Sequence, residues 1–432
     1  MKKSLSLILL VITSLCMSAG VTDTIKVMQY NLLNYGNYTD YCPQELNNVS
    51  DKNRYIRTIL TAYYPDIFTV CEMGKATNLP SDFVNNNLNI NGVTYWKASP
   101  GSNTSNSYLT NAVFYNSEKM VLRKHSLAQT YIRDVDIYSF YLKNDLLVSG
   151  DTVNLVCIIA HLKAGYGSDN EDKRHTMCRN IMNNINNSYR NCNVLIMGDF
   201  NLYSSAEAAY QTLTDKNSYP TTYFIDPVYP YGVGEWNGNP DYAEYHTQSV
   251  DRQGNGCRSG GGLDDRFDFI MMSQNIYGGT DKVQYINGSY HAIGQDGNRF
   301  NQSINSPANQ DVPADVANAL FNNSDHLPVK MELLITQNTD VEETADKEFN
   351  FDIYPNPAKE KINIRFFQNN HGKADIRLFN SLGQTVYANS FPVDEGVEET
   401  VIPISNLHEG VYFLKITNGD GKKEVVKVVL GV

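Results

Sequence analysis

Residues 193–201 read NVLIMGDFN, an apolar run of strand length that ends in a carboxylate, an aromatic and an amide. A short continuous apolar run of this kind suits a strand covered on both faces. A core has no use for Asp199 and Asn201 at its end, because burying unpaired polar groups is costly. Taken alone, the pair could simply close an Asx turn. Read with the rest of the chain, it marks the point where a strand leaves the core and enters a site.

Other apolar runs end the same way. IKVMQYN at 25–31 ends in Asn31, DIFTVCEM carries Glu72, TVNLVCIIAHL carries His161, and Asp325 with His326 immediately precedes LPVKMELLI. TNAVFYN and RFDFIMMS are further dense apolar segments expected as strands. Ser50 or Asp51 is placed to cap a helix whose Ile56, Ile59, Leu60 and Tyr63 share one face and which Pro65 ends. Met177, Ile181, Ile185 and Tyr189 recur at helical spacing over 170–189. The first unit is therefore a mixed sheet with covering helices. At one rim of such a sheet the polar strand ends converge into a single pocket. Its amide, carboxylates and imidazoles, with no serine or cysteine in a nucleophile setting, suit a hard cation such as Mg²⁺ or Ca²⁺ and not zinc. A hard cation, a carboxylate base and histidines together suit hydrolysis of a phosphate ester.

The chain has 432 residues, 41 % of them hydrophobic, enough for more than one domain. Residues 1–20, MKKSLSLILLVITSLCMSAG, have the layout of a secretory signal peptide with cleavage near Ala19 or Gly20. Ser14 and Leu15 before Cys16 argue against a lipoprotein anchor. No later segment has the apolar length of a membrane span, so a secreted or cell-surface protein without stable membrane insertion is expected. Beyond Cys16 there remain Cys42, Cys71, Cys157, Cys178, Cys192 and Cys257. Export permits disulfides among them, though Cys71 and Cys157 lie in apolar strands where a free thiol packs as a small hydrophobe. The spacing leaves the pairing open. A net charge of −12 argues against capture of nucleic acid by the whole surface, but not against a local basic groove.

The acidic stretch around TQNTDVEETADKE reads as a solvated linker over 337–349. It divides a unit over 22–336 from one over 350–432. In the latter, KINIRFF, KADIRLFN, QTVYANSF, EETVIPI, VYFLKIT and EVVKVVL alternate apolar with polar residues between turns, the pattern of a small all-β sandwich.

The ordered series Asn31, Glu72 in CEM, NAVFY at 111–115, HLKA at 161–164, GDFN at 198–201, RFDFI at 266–270 and SDHLPV at 324–329 resembles the endonuclease/exonuclease/phosphatase superfamily. The resemblance implies a four-layer α/β sandwich of two packed mixed sheets flanked by helices, with the site at one rim. It implies a metal held by Glu72 with Asn31 and Asp325 nearby, Mg²⁺ with Ca²⁺ or Mn²⁺ as substitutes. Asp199 would activate the attacking water, and Asn201 would fix the nucleophile and the scissile phosphate. His326 would stabilise the pentacovalent state with Asp268 on its other ring nitrogen, while His161 would protonate the leaving oxygen. The histidine of HLKA is similar to that of secreted pancreatic-type deoxyribonucleases, sphingomyelinases and inositol polyphosphate 5-phosphatases; RFDFI departs from the Trp-Cys-Asp-Arg run of the last group. Cys71 stands where glutamine is common. The function expected is that of a monomeric, DNase-like endonuclease. The alternatives are a phospholipid phosphodiesterase of the sphingomyelinase type, or a surface binding protein without catalysis.

YPNPAKEKINI at 354–364, LFNSLGQTVY at 378–387 and ISNLHEGVYFLKI at 404–416 resemble the type IX secretion C-terminal sorting domain, which implies the type IX secretion machinery as a partner. Four further features have open readings. Asp264, Asp265 and Arg266 suit a surface ion-pair cluster or a substrate-contacting loop. Arg174 could cap its helix or reach a phosphate. The tyrosine-rich stretch 219–245 suits a base-stacking or membrane-touching lobe, or an insertion stitched together by its own aromatics. His125, His175, His246, His291, His371 and His408 are expected on loops or the surface.

Overall fold

The computed structural model describes residues 23–143, 153–228, 235–335 and 351–431, apart from 369, 382 and 420. The expected signal peptide, the expected linker over 337–349 and residues 229–234 of the tyrosine-rich stretch lie outside the described residues.

NVLIMGDFN does form a strand. Val194–Asp199 is buried throughout and runs parallel to Val153–Ile159 in a sheet that also holds Met120–Gln129, Val135–Leu142, Asp268–Ser273 and Phe224–Ile225. A second sheet has Asp23–Tyr35 near its centre, antiparallel to Val329–Ile335 and parallel to Ile67–Gly74, with Leu109–Asn116 and Trp96–Pro100 beyond. The two sheets pack face to face, Asp23–Tyr35 against Val194–Asp199 and Asp268–Ser273. Their apolar side chains, among them Val27, Val70, Phe114, Ile158, Ile196 and Ile270, merge into one core. Helices Val49–Ala62 and Ala314–Asn323 pack together against the outside of the second sheet, and Ser168–Ser188 with Ala208–Thr214 against the first. The result is the expected four-layer α/β arrangement.

Gly198 shows how tightly the site end of the first sheet is built. At its φ of +147° a Cβ would stand 1.8 Å from the carbonyl oxygen of Ala160, so a side chain cannot be accommodated. Glycine before Asp199 is a demand of this close approach.

One local expectation needs correction. The first helix begins two residues earlier than a cap at Ser50 allows and three earlier than one at Asp51: Asn48 is its cap, with Oδ1 accepting from the Ser50 amide at 2.8 Å. The pairing that the spacing left open is, among the described residues, one bond, Cys42–Cys257; Cys71 and Cys157 are buried free thiols as their strands suggested, Cys178 is a third and Cys192 is a half-buried one. The bond spans 215 residues and links the loop after the first strand to the loop that holds Asp325. Converting both Cys42 and Cys257 to serine is expected to lower stability by about 2–4 kcal/mol. A urea midpoint unchanged by that double substitution would show that the bond constrains nothing.

The C-terminal unit is two antiparallel sheets around their own core, which includes Ile362, Phe366, Ile376, Leu414 and Ile416. It touches the first unit through Phe367 and Val397, whose side chains join that unit's core, and through polar pairs. Tyr277 donates to Asp352 Oδ2 at 2.8 Å, Arg365 donates to the Asp226 carbonyl at 2.8 Å, and the Val397 amide donates to the Tyr223 hydroxyl at 3.1 Å. Among the described residues no helix is long and apolar enough to cross a membrane.

Candidate active site

The strand ends from both sheets meet at one rim, and the ladder breaks where they do. Pairing between Asp23–Tyr35 and Ile67–Gly74 shifts register between Asn31 and Tyr35, and the next pair shifts between Val70 and Met73. Such irregularities re-aim side chains. Here Leu33, Asn34 and Glu72 take positive φ values of 46°, 54° and 60°, which turns Glu72 toward the buried Asn31. Asn31 Nδ2 donates to Glu72 Oε1 at 3.2 Å and to Asp199 Oδ2 at 3.0 Å, while its Oδ1 accepts from the Leu33 amide. Glu72 Oε2 accepts from the Asn34 amide at 3.1 Å.

The two oxygens of Asp199 have different work. Oδ1 closes an Asx turn, accepting from the Asn201 amide at 3.0 Å and from Asn201 Nδ2 at 2.8 Å. Oδ2 faces the pocket, 3.0 Å from Asn31 Nδ2, 3.4 Å from His161 Nε2 and 3.8 Å from His326 Nε2. The turn and the site are thus one structure, the turn aiming the free oxygen.

Asp268 lies opposite Asp199 in the ladder, and its Oδ2 is 2.7 Å from His326 Nδ1. Asp325 Oδ2 accepts from the Ser259 amide at 3.0 Å, whereas its Oδ1 is buried without a protein partner, 3.9 Å from His326 Nε2. Asp268 Oδ1 is likewise unpartnered. Buried carboxylate oxygens with nothing to accept from are unusual, and fit a ligand such as a cation or a polarised water. Glu72, His161 and Asp199 also present ligand atoms within 4.8 Å of one another. The eight residues expected at the site therefore sit in one network.

The electrostatics separate the two imidazoles. Burial and then the charges of Arg133, His326 and Lys163 hold His161 well below the ordinary histidine range, so it is neutral. For His326, burial opposes the charge but is outweighed by Asp268 and Asp199, and the ring is held well above the ordinary range. Burial pushes Asp199 up to about 7, against the pull of His326. Groups driven apart in this way can divide acid and base work between them.

Several residues here had no recognisable signal in the sequence. Gln248 Nε2 lies 2.7 Å from His326 Nε2, on a backbone that bridges to both Asp265 and His326. Thr247 Oγ1 accepts from the Phe267 and Asp268 amides, at 3.1 and 3.2 Å, and so fixes Asp268. Lys52 is buried, donating to the Leu32 carbonyl at 2.7 Å and to the Asn323 carbonyl; burial pushes its amine down to about 7.

Arg266 is no surface residue: it is 1 % exposed, grips Asp226 with two bonds of 2.7 Å, and lies over the Phe269 ring. Arg174 neither caps its helix nor faces the pocket: it pairs with Glu207 at 2.8 Å and donates to the carbonyls of Lys163 and Gly165, tying down the loop after His161. His246 is buried with Nε2 2.8 Å from the Trp236 carbonyl oxygen. The described part of 219–245 packs inward, with Tyr223, Phe224, Trp236 and Tyr242 all buried and Trp236 against Tyr210 and Phe269, so these aromatics are fastened to the first unit's core instead of forming a lobe of their own. Replacing Arg266 with alanine leaves the Asp226 carboxylate buried and unpaired, and is expected to cost about 3–5 kcal/mol of stability. A chemical denaturation midpoint within error of the parent would contradict that.

The two-sheet tail, with its YPNP bend after the strand Phe351–Tyr354 and GVYFLKI in the strand Gly410–Thr417, has the make-up of an export address. Residues 352–430 match the family model described as "Secretion system C-terminal sorting domain". The sorting domain covers nearly all of the tail and bears out the type IX resemblance and the secreted or cell-surface location. No curated protein matches the chain. Among solved structures, an endonuclease/exonuclease/phosphatase family protein from Bacteroides thetaiotaomicron is 14 % identical, covering 73 % of this chain and 100 % of its own, at a TM-score of 0.42. The human Nocturnin catalytic domain with bound sulfate is 16 % identical over 73 % of this chain and 98 % of its own, at 0.44. D. rerio TDP2 complexed with single strand DNA product is 14 % identical over 72 % and 98 %, at 0.43. A likeness at this level leaves the reaction to this chain's own residues.

Proposed function

We propose that the chain is an exported, divalent-cation-dependent phosphoesterase and, within that class, a phosphodiesterase that cuts nucleic acid in the manner of a DNase. The observation that carries the reading is the placement of Asp199 Oδ2, a carboxylate oxygen aimed into a buried pocket between Asn31, His161 and His326.

Glu72 with Asn31 and Asp325 would hold the cation, and the unpartnered Asp325 Oδ1 suits such a role. When bound, a hard cation of the Mg²⁺ kind polarises a phosphoryl oxygen and offsets its charge. Asp199 Oδ2 takes the proton of the attacking water as its oxygen bonds to phosphorus. Asn201 holds Asp199 in register for that transfer and helps to seat water and phosphate. His326, kept charged and oriented by Asp268, stabilises the oxygens that gain charge at phosphorus. The proton that Asp199 takes from the water is the one the leaving oxygen needs: neutral His161, with Nε2 3.4 Å from Asp199 Oδ2, would receive it and pass it to that oxygen as the bond to phosphorus breaks, leaving Asp199 charged again.

The test is nicking of supercoiled plasmid by the full chain with Mg²⁺, with Ca²⁺ and with EDTA. Cation-dependent nicking that EDTA abolishes is expected. Release of phosphocholine from sphingomyelin vesicles without nicking would replace nucleic acid by lipid head groups. Ligand binding with no hydrolysis of any phosphoester would leave a binding protein.

A further inference from the structure

The loops around the pocket mouth on the His161 side are fastened to one another and carry exposed tyrosines. Leu109 pairs with Gly74 and Asp136 with Ile159, so the loops 101–108, 130–134 and 160–167 all open at the rim that holds Glu72 and His161. Asp134, itself buried, accepts from the amides of Thr104 at 2.5 Å and Ser105 at 2.9 Å, binding the first loop to the second. Arg133 donates to the Leu162 carbonyl at 2.5 Å, binding the second to the third, which Arg174 secures from below. Loops tethered in this way keep a fixed geometry.

Their tips are aromatic. Tyr108 is 72 % exposed, Tyr131 44 % and Tyr166 75 %. Tyr166 is propped edge-on against Tyr203, with ring centroids 5.3 Å apart, and Lys75 Nζ lies 5.2 Å from the Tyr108 centroid. A large apolar ring left in water on a braced loop is a binding surface more readily than a folding element. Basic residues stand on or beside the same loops: Lys75 lies against Tyr108, Arg133 follows Tyr131 with its guanidinium on the Leu162 carbonyl, and Lys163 precedes Tyr166 with its amine on the Ala164 carbonyl. Beyond Tyr166 the acidic first turn of helix Ser168–Ser188, with Asp169 and Glu171, bounds the ridge.

Rings alternating with cations suit a ligand that alternates flat π-faces with anionic links. A neutral glycan has no use for the cations. A duplex presents base edges, its faces being already stacked on each other. Unpaired nucleotides offer both a face and a phosphate at each step.

We propose that Tyr108, Tyr131 and Tyr166, with Lys75, Arg133 and Lys163, form a ridge that binds single-stranded nucleic acid by stacking and leads it into the pocket past His161. This deepens the nucleic-acid reading of the same site and rests on it.

The test measures fluorescence anisotropy with the full chain carrying Asp199→Asn to prevent cleavage, with and without Tyr108→Ala, Tyr131→Ala and Tyr166→Ala together. The probes are a single-stranded oligonucleotide, an abasic oligomer of equal length and charge, a duplex, and a neutral oligosaccharide. Loss of stacking is expected to raise the single-strand Kd by about tenfold or more. The abasic oligomer should bind the parent more weakly than the single strand, and be indifferent to the tyrosines. Equal binding of the single strand by both proteins, equal binding of single strand and abasic oligomer, or preference for the duplex or the oligosaccharide would each overturn the ridge. In the catalytically intact chain, the triple substitution should leave hydrolysis of bis(4-nitrophenyl) phosphate unchanged. Cation-dependent hydrolysis of that ester by the parent with no cleavage of any nucleic acid overturns the nucleic-acid reading itself. Cleavage of nucleic acid with unaltered single-strand binding in the variant overturns the ridge alone.

Discussion

Asp199→Asn is expected to slow phosphodiester hydrolysis by about 100- to 10,000-fold while leaving a folded protein. The amide keeps the shape of the turn but cannot take a proton from water at Oδ2, the oxygen that faces His161 and His326. Turnover of plasmid and of bis(4-nitrophenyl) phosphate, with circular dichroism to establish the fold, checks it; activity within tenfold of the parent would remove Asp199 from the role of base. A pH profile gives the same residue a second test. With its carboxyl pushed up to about 7 by burial, Asp199 carries a proton below that pH and is an active base above it. The rate should therefore rise with pH through this region. A cation beside Asp199 favours the charged carboxylate, so higher Mg²⁺ should move the acidic limb to lower pH. Stability follows with the opposite sign. Between the ordinary aspartate value and about 7 the folded chain keeps a proton that the unfolded chain has released, so Asp199 makes folding less favourable as pH rises through that window.

Removing His326 is the second large effect. His326→Ala is expected to cost about 100- to 1,000-fold in turnover, the range for losing one preorganised donor to developing charge. Asp268→Asn should cost less, because the ring stays in place, but it removes the charge that keeps His326 protonated. The alkaline limb of the profile should then move to lower pH. A profile unmoved by Asp268→Asn would mean that the 2.7 Å contact orients the ring without setting its charge.

The candidate site was legible in the sequence to an unusual degree because its parts lie at strand ends. An apolar run that gives way to a polar group announces both the strand and its approach to the rim: Asp199 does end its strand, His161 follows just after one, and Asn31 and Glu72 stand where the ladder breaks, a few residues before their strands finish at Tyr35 and Gly74. Residues whose meaning depends on a distant partner were not legible. Arg266 looks like part of a charged surface cluster until Asp226, 40 positions away, is brought against it. The first helix was offset because Asn48, Ser50 and Asp51 are all competent caps within one turn, and only the backbone path decides which one is used.

The sequence by itself determined where the strands run, which residues stand at their ends and that the tail is an export address, since these rest on local periodicity and on short motifs. Only the tertiary structure decided that Gln248 and Thr247 lie against His326 and the Asp268 backbone, that Cys42 bonds to Cys257 and not to a nearer thiol, that His161 and His326 are pushed in opposite directions, and that three loops are tied to one another beside His161. The physical reason is common to all of them. Pairing, burial and charge state are set by neighbours in space, and the packing of the two sheets brings together neighbours that lie far apart along the chain.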